Sequence, residues 1–354
     1  MKRAALSALL CLAAAGCPAP PDSTKTTSEP AKTGESKEPV DPKVAEAQMF
    51  AKAIYGQLPS EAKNAKNPQT PAKIALGKTL YYDGRLSKSG EISCNSCHQL
   101  DKFGVDAEPT SPGHTGERGT RNSPTVYNAA LHEAGQFWDA REPDVEAQAK
   151  GPILNPVEMG MASAEEVIAT LKGIAGYAEL FKQAFPGEAE PISYDNVGKA
   201  IGAFERTLLT PARFDAFVAG DASALTPEEI AGMQLFHQTG CTQCHTGPAL
   251  GGNAIKKLGD REVWETKDLG RYEVTKQDAD KYMFKVPSLR NVTRTAPYLH
   301  DGSISDLGEM VKLMAKHQLA KELKDEEVDQ IVAFLDALTG EIKPEWTQAP
   351  PMPK

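Results

Sequence analysis

The pentapeptide CNSCH at residues 94–98 returns as CTQCH at residues 241–245, and no other feature constrains the chain so strongly. Of six cysteines, four stand in these two copies as Cys94, Cys97, Cys241 and Cys244; the other two, Cys11 and Cys17, lie near the start of the chain. None is left for a structural disulfide. Zinc sites gather four ligands at short spacings, whereas these two pairs are 147 residues apart (241 − 94). A thiol redox pair does not require the histidine that follows each copy. Two thiols three residues apart can bond both vinyl groups of a haem while the next imidazole meets the iron. Each copy is therefore expected to hold one covalent c-type haem, with His98 and His245 as iron ligands.

The copies sit inside a wider internal echo. TPAKIALGKTLYYD (70–83) precedes the first and TPEEIAGMQLFHQ (226–238) the second. Both read as helix starts: Thr70 and Thr226 as N-caps, Pro71 and Pro227 at the first helical position, and Glu229 completing a capping box. Apolar residues then recur at helical spacing, Ile74, Leu80 and Tyr81 against Ile230, Met233 and Phe236. Downstream, SPTVYN (123–128) is echoed by VPSLRN (286–291), and QFWDA (136–140) by YLHDG (298–302). A final helix is expected over DEEVDQIVAFLDALTG (325–340), with Val328, Ile331, Val332, Leu335 and Leu338 on one face and Gly340 as its stop. No run of alternating apolar residues is long enough for a substantial sheet. The expected fold class is all-α: two cytochrome c-like haem domains of short helices and long loops, residues 44–214 and 215–345, with a tail at 346–354.

The start of the chain reads as an export signal over residues 1–16, with Lys2 and Arg3 before an apolar run of about a dozen residues, short of the ~20 that span a bilayer. Cys17 lies where a bacterial lipoprotein signal places its lipid-bearing cysteine, although Ala14 replaces the usual leucine. Residues 17–43, rich in Pro, Ser, Thr, Lys and Glu, are expected to form a disordered tether. These features place the body outside the cytoplasm, in the periplasm, held to a membrane by a lipid anchor. Without residues 1–16 the formal charge moves from −9 to −11 (37 basic against 48 acidic). That balance argues against nucleic acid and suits steering of a basic protein partner.

The halves diverge in what could complete each iron. After CTQCH, DLGEMVKLMAKHQL (306–319) offers Met310 and Met314, one helical turn apart, and a thioether favours ferrous iron and raises its potential. Spacing alone does not choose between them. In the first half the corresponding stretch, EAQAKGPILNPVEMG (146–160), is broken by Pro152 and Pro156. It carries Met159 and Met161 as possible ligands, but is better suited to presenting the Gln148 amide and the Glu158 carboxylate. His114, in PTSPGHTG, is a further ligand candidate, on a loop that can bind and leave.

GRLSKSGEISCNSCH, PTSPGH, RNSPTVYN, QFWDAREP, QAKGPILNPVEM, VPSLRNVTRTAPYLHDG and IVAFLDALTG, in that order over residues 70–340, resemble the signature segments of bacterial di-haem cytochrome c peroxidases. The resemblance implies a peroxidatic haem on His98, with His114 as its distal ligand in a resting state, and a high-potential electron-transfer haem on His245 and Met314. It also implies Trp138 between the haems, Gln148 and Glu158 as the distal-pocket pair that assists O–O cleavage, and a calcium ion near Asn122, Thr295 and Pro297. The activity implied is reduction of hydrogen peroxide to water. Electrons would come from a small cytochrome c or copper protein, entering at the His245 haem and passing to the His98 haem. A homodimer is a further implication. Two other readings fit parts of the pattern: a two-haem electron carrier without peroxide chemistry, and a di-haem maturase that oxidises tryptophans on a partner. In the maturase a tyrosine replaces the methionine ligand, so Met314 argues against it.

Overall fold

The computed structural model describes residues 40–354. The export signal at 1–16, Cys17 and most of the tether lie outside the described residues. The tether was expected to run to residue 43, but helix α1 (Pro42–Ile54) already begins at Pro42. The Asp41 side chain accepts from the Lys43 amide at 2.8 Å and proline takes the first helical position, a cap hidden by the polar composition around it.

The next helix is α2 (Pro71–Tyr82), followed by α3 (Cys94–Cys97), which is the first pentapeptide itself. After a long loop come α4 (Val145–Gln148), α5 (Gly151–Leu154), α6 (Ala164–Lys172), α7 (Ala175–Ala184) and α8 (Tyr194–Glu205). The second half runs through α9 (Arg213–Val218), α10 (Pro227–Thr239), α11 (Tyr272–Thr275), α12 (Leu307–Leu319), α13 (Asp325–Asp336) and α14 (Pro344–Thr347). Among the described residues the only sheet is an antiparallel pair of three-residue strands, β1 (Ile255–Lys257) and β2 (Met283–Lys285), in the register Lys256 to Phe284. The all-α expectation holds, and the N-caps at Thr70 and Thr226, with the Glu229 capping box, are where the sequence placed them.

Each half is built on one crossing of two helices, made close by a glycine. Where α2 meets α8, a Cβ on Gly77 would lie 1.8 Å from the Ala200 carbonyl oxygen; where α10 meets α13, a Cβ on Gly232 would lie 1.9 Å from that of Gln330. Neither backbone can approach so closely with a side chain between. Gly77→Ala and Gly232→Ala are each expected to destabilise by about 1–3 kcal/mol through overpacking, read by denaturant unfolding. Leu76, Leu80, Tyr81 and Phe204 are buried at the first crossing, Met233, Phe236, Ile331 and Phe334 at the second. Each such side chain contributes roughly 1.5–3 kcal/mol of transfer free energy.

The ends of the chain cross over between these cores. Ala47, Ala51 and Tyr55 of the first helix pack into the second core with Phe214 and Phe334, whereas Trp346 packs into the first, 5.6 Å from the Tyr127 ring. The packing units thus differ at both ends from linear halves cut at residue 214. Residues 346–354 are tied down and are no free tail, since Arg85 donates to the Pro353 carbonyl and the Gly176 amide to that of Lys354. Helix α13 also ends four residues before Gly340. That glycine is needed for close approach to Thr210 and is not a left-handed stop, while Phe334, absent from the expected face, is fully buried.

The internal echo is a structural repeat. Asn128 and Asn291 close SPTVYN and VPSLRN in the same left-handed conformation (φ 61°), and both donate to the one hydroxyl of buried Thr210, at 2.8 and 3.0 Å. QFWDA and YLHDG form matching turns, with Phe137 and Leu299 at positive φ and bridges Gln136–Glu142 and Tyr298–Ile304. The repeat sets Trp138 against its counterpart His300, ring centroids 6.5 Å apart and near perpendicular.

Candidate active site

At the second pentapeptide the thiols of Cys241 and Cys244 are free and partly buried, and burial pushes Cys241 up to about 12. His245 is half-buried, and desolvation lowers its imidazole below the ordinary value. Its Nδ1 lies 3.0 Å from the Leu250 carbonyl, to which it donates, so Nε2 keeps its lone pair for a metal, as in most iron and zinc histidines. These three residues line a cavity of about 240 Å³ whose walls include both Met310 and Met314 of α12. Free thiols, an oriented imidazole and two thioethers around one largely apolar space fit a c-type haem. Met310 is the more buried of the two methionines.

At the first pentapeptide, α3 sets the Cys94 and Cys97 thiols one helical turn apart, and both are free. The helix is fixed at its start by the Ser93 amide donating to the Ser96 hydroxyl (3.0 Å), and beyond its end by the Tyr81 hydroxyl donating to the His98 carbonyl (2.7 Å). His98 is half-buried and its imidazole is lowered by desolvation. Its Nδ1 makes no hydrogen bond, although the Pro124 and Gly104 carbonyls favour the protonated ring. A half-buried imidazole whose Nδ1 is out of contact with water, beside two free thiols, fits a second haem.

Helices α4 and α5 stand where the second half has the single helix α12 with Met310 and Met314, and Pro152 is admitted at the start of α5. Gln148 ends α4, half-buried, its side-chain amide without a protein partner among the described residues. Glu158 lies in the turn after α5, and its charge acts on both Cys94 and Cys97. Burial raises the Glu158 carboxyl above its ordinary value, against the pull of Arg141 and of Asn155, whose Nδ2 donates to Oε1 at 2.8 Å. Asn155 and Arg141 were missed by sequence reasoning. Asn155, three residues before Glu158 in NPVEM, also caps the turn by accepting from the Val157 amide, an Asx pattern that was legible. Arg141 left no local signal: it sits over the Phe137 ring at 3.4 Å and bonds Asp139. Met159 and Met161 are buried core residues.

His114 docks on this same turn. Its amide donates to the Glu158 carbonyl (2.8 Å), its ring lies on Gly160, and its Nε2 is 3.1 Å from the Pro156 carbonyl. Since a carbonyl only accepts, Nε2 is a donor in this conformation. Trp138 lines the large cavity and joins the halves, donating from Nε1 to the Asn122 carbonyl (2.9 Å) while its own carbonyl accepts from the Lys285 amide (2.7 Å). Asn122, Thr295 and Pro297 lie in the wall of that cavity. Asn122 spends its amide donors on the Glu108 and Pro109 carbonyls, leaving its side-chain oxygen free to accept. Among the described residues no three His, Cys, Asp or Glu side chains form a metal cluster, and no helix is long and apolar enough to cross a membrane.

A family model for di-haem cytochrome c peroxidase matches residues 71–223 and one for cytochrome c matches residues 229–339. The chain is 44% identical to the cytochrome c551 peroxidase of Nitrosomonas europaea, over 83% of this chain and 88% of that one. It is 42% identical to the cytochrome c551 peroxidase of Pseudomonas aeruginosa, over 82% and 85% respectively. The methylamine utilization protein MauG of Methylorubrum extorquens is 37% identical, over 78% and 80%. Among solved structures, a MauG-like protein associated with microbial copper homeostasis superposes with a TM-score of 0.73 at 28% identity, covering 83% of this chain and 97% of that one.

Proposed function

This chain belongs to the di-haem cytochrome c peroxidase family and carries two c-type haems, and on that premise we propose which residues perform the reduction of hydrogen peroxide and how. The haems supply redox iron, through which two electrons, delivered singly by a small cytochrome or copper protein, combine with peroxide and two protons to give two waters. His245 and Met314 would hold the haem that receives the electrons, and Trp138, bonded to both halves, would lie between it and the His98 side. Glu158 takes the proton from one peroxide oxygen and returns it to the other as the O–O bond breaks, base and then acid. The unpartnered Gln148 amide holds the peroxide without competing for that proton. The observation that carries this reading is the half-buried Glu158 carboxyl, raised by its partial desolvation and braced by Asn155 on the Cys94/Cys97 side of the fold.

His114 belongs to the same reading as a two-state element. Bonded to Pro156 it leaves the His98 side open; freed, its loop could supply a distal ligand, so that a ligand of the open form shifts the population. The Asn122 oxygen with the Thr295 and Pro297 carbonyls would suit calcium, a hard cation. Periplasmic location, lipid attachment through Cys17 and pairing into a homodimer complete the proposal.

The pH dependence of turnover tests it. Glu158 must be ionised in the free enzyme to act as base, so activity falls as pH drops through its raised value. The acid limb of kcat/KM, with reduced cytochrome c and peroxide, is expected above 4.5, the ordinary carboxyl value. Asn155→Leu removes one of the two influences that hold that carboxyl down, so the limb moves further up. A limb at or below the ordinary value, unmoved by Asn155→Leu, removes Glu158 from the role.

A further inference from the structure

Lys285 closes β2 and is buried, 6% exposed, without a carboxylate partner. Its Nζ donates to His132 Nδ1 at 3.0 Å, and His132 Nε2 is itself buried with no partner. Both residues line the cavity that also holds Cys241, Cys244 and His245. A lysine removed from water without an anion is costly, and here the cost shows: burial lowers Lys285 to about 7 and, with the Lys285 charge, drives His132 well below its ordinary value. The pair therefore keeps the His132 Nε2 donor and the remaining Lys285 donors without a protein acceptor in the wall of the cavity, and a haem held there carries two carboxylates that accept. Asp139, the acid that acts on Lys285 from nearby, is already bonded to Arg121 and Arg141.

We infer that Lys285 and His132 form the binding site for the carboxylate side chains of the haem attached at Cys241 and Cys244, and that the Lys285 charge helps set that haem's potential. The inference rests on a haem at the second pentapeptide but not on peroxide chemistry. Lys285 also ties this site to Trp138, since its backbone amide donates to the Trp138 carbonyl. A cation beside the carboxylates offsets their negative charge, so ferrous iron, one positive charge poorer than ferric, is favoured when Lys285 is present.

The test is a potentiometric titration of the holoenzyme, following the two haems separately. Lys285→Met and the polar, uncharged Lys285→Gln are expected to shift the ferric–ferrous equilibrium of the high-potential haem at least tenfold toward ferric, 59 mV for one electron. The low-potential haem stays within twofold, and Lys285→Arg restores the original value. Should the Lys285 variants fail to take up haem, His132→Gln, which leaves the cation but removes the imidazole that orients it, should shift the same equilibrium in the same direction by a smaller factor. High-potential couples within twofold of wild type in whichever of these variants load haem would overturn the inference. So would a wild-type potential that follows the concentration of added phosphate or chloride, because the pair would then hold a mobile anion. Peroxide turnover of the wild-type protein, measured on the same samples, reports separately on the peroxidase mechanism.

Discussion

Glu158→Ala is expected to lower peroxide turnover by about 10²–10⁴-fold, the range over which a positioned acid–base group acts, with both haems still loaded. Glu158→Gln gives nearly the same loss while keeping the size of the side chain and a carbonyl for the Asn155 amide. The two variants together separate proton transfer from packing. Because burial raises the carboxyl, ionised Glu158 costs the fold some stability above its ordinary value. The Gln variant should therefore unfold at the same or higher denaturant concentration than wild type at neutral pH. A loss of activity accompanied by a loss of stability in both variants would mean that Glu158 holds the turn and does no chemistry. Turnover unaffected in either would leave the proton route without its carrier.

Arg206→Leu is expected to destabilise the protein by about 3–5 kcal/mol, a large part of the ~5–15 kcal/mol that holds a typical domain. Arg206 and Glu146 form a bidentate pair at 2.7 and 2.8 Å, their side chains 7% and 10% exposed, and the Asn64 and Asn67 amides donate to the same carboxylate. Burial raises the Glu146 carboxyl, but Arg206 and Asn67 outweigh it and hold it below the ordinary value. A depressed carboxylate contributes stability that is present above its unfolded value and is lost as pH falls through the folded one. Without Arg206 the sign reverses, since the lone carboxylate is raised by burial and neutralises on acidification. The deficit of the variant should therefore be largest at neutral pH and shrink toward acid pH, in denaturant unfolding of the holoenzyme. Burial and the Glu146 charge push the neighbouring Glu205 carboxyl up to about 8, against the pull of Arg206. The effect reaches the site because Glu146 stands in α4, two residues before Gln148.

What the sequence disclosed was local. The pentapeptides, the caps at Thr70 and Thr226 and the echo of SPTVYN in VPSLRN are patterns of a few residues, and each sets its own backbone through hydrogen bonds to near neighbours. The helix carrying Met310 and Met314 was legible for the same reason. What it withheld depends on residues far apart in the chain. Gly77 and Gly232 gave no sign of a crossing helix until Ala200 and Gln330 were found against them. Lys285 meets His132 across 153 positions, and Arg206 meets Glu146 across 60. Trp346 looked like part of a tail because nothing nearby has a hydrophobic period; its partner Tyr127 is more than two hundred residues earlier. At the site, Glu158 and Gln148 were legible as the polar groups of a proline-broken loop, but only the resemblance gave them a role, since a glutamate in a loop is ordinarily solvated. Its burial and its Asn155 bond are what distinguish it.

The account depends on two unlike irons: one capped for good by sulfur, the other with a face that can open beside Glu158. Electron paramagnetic and optical spectra of the holoenzyme reduced by one electron test this in a single sample. The account predicts that the electron resides on the His245 haem with a methionine ligand, lost in Met314→Ala but kept in Met310→Ala. It also predicts that the His98 haem stays ferric and binds added cyanide. Two protein ligands on both irons in every redox state, with no cyanide taken up, would contradict it.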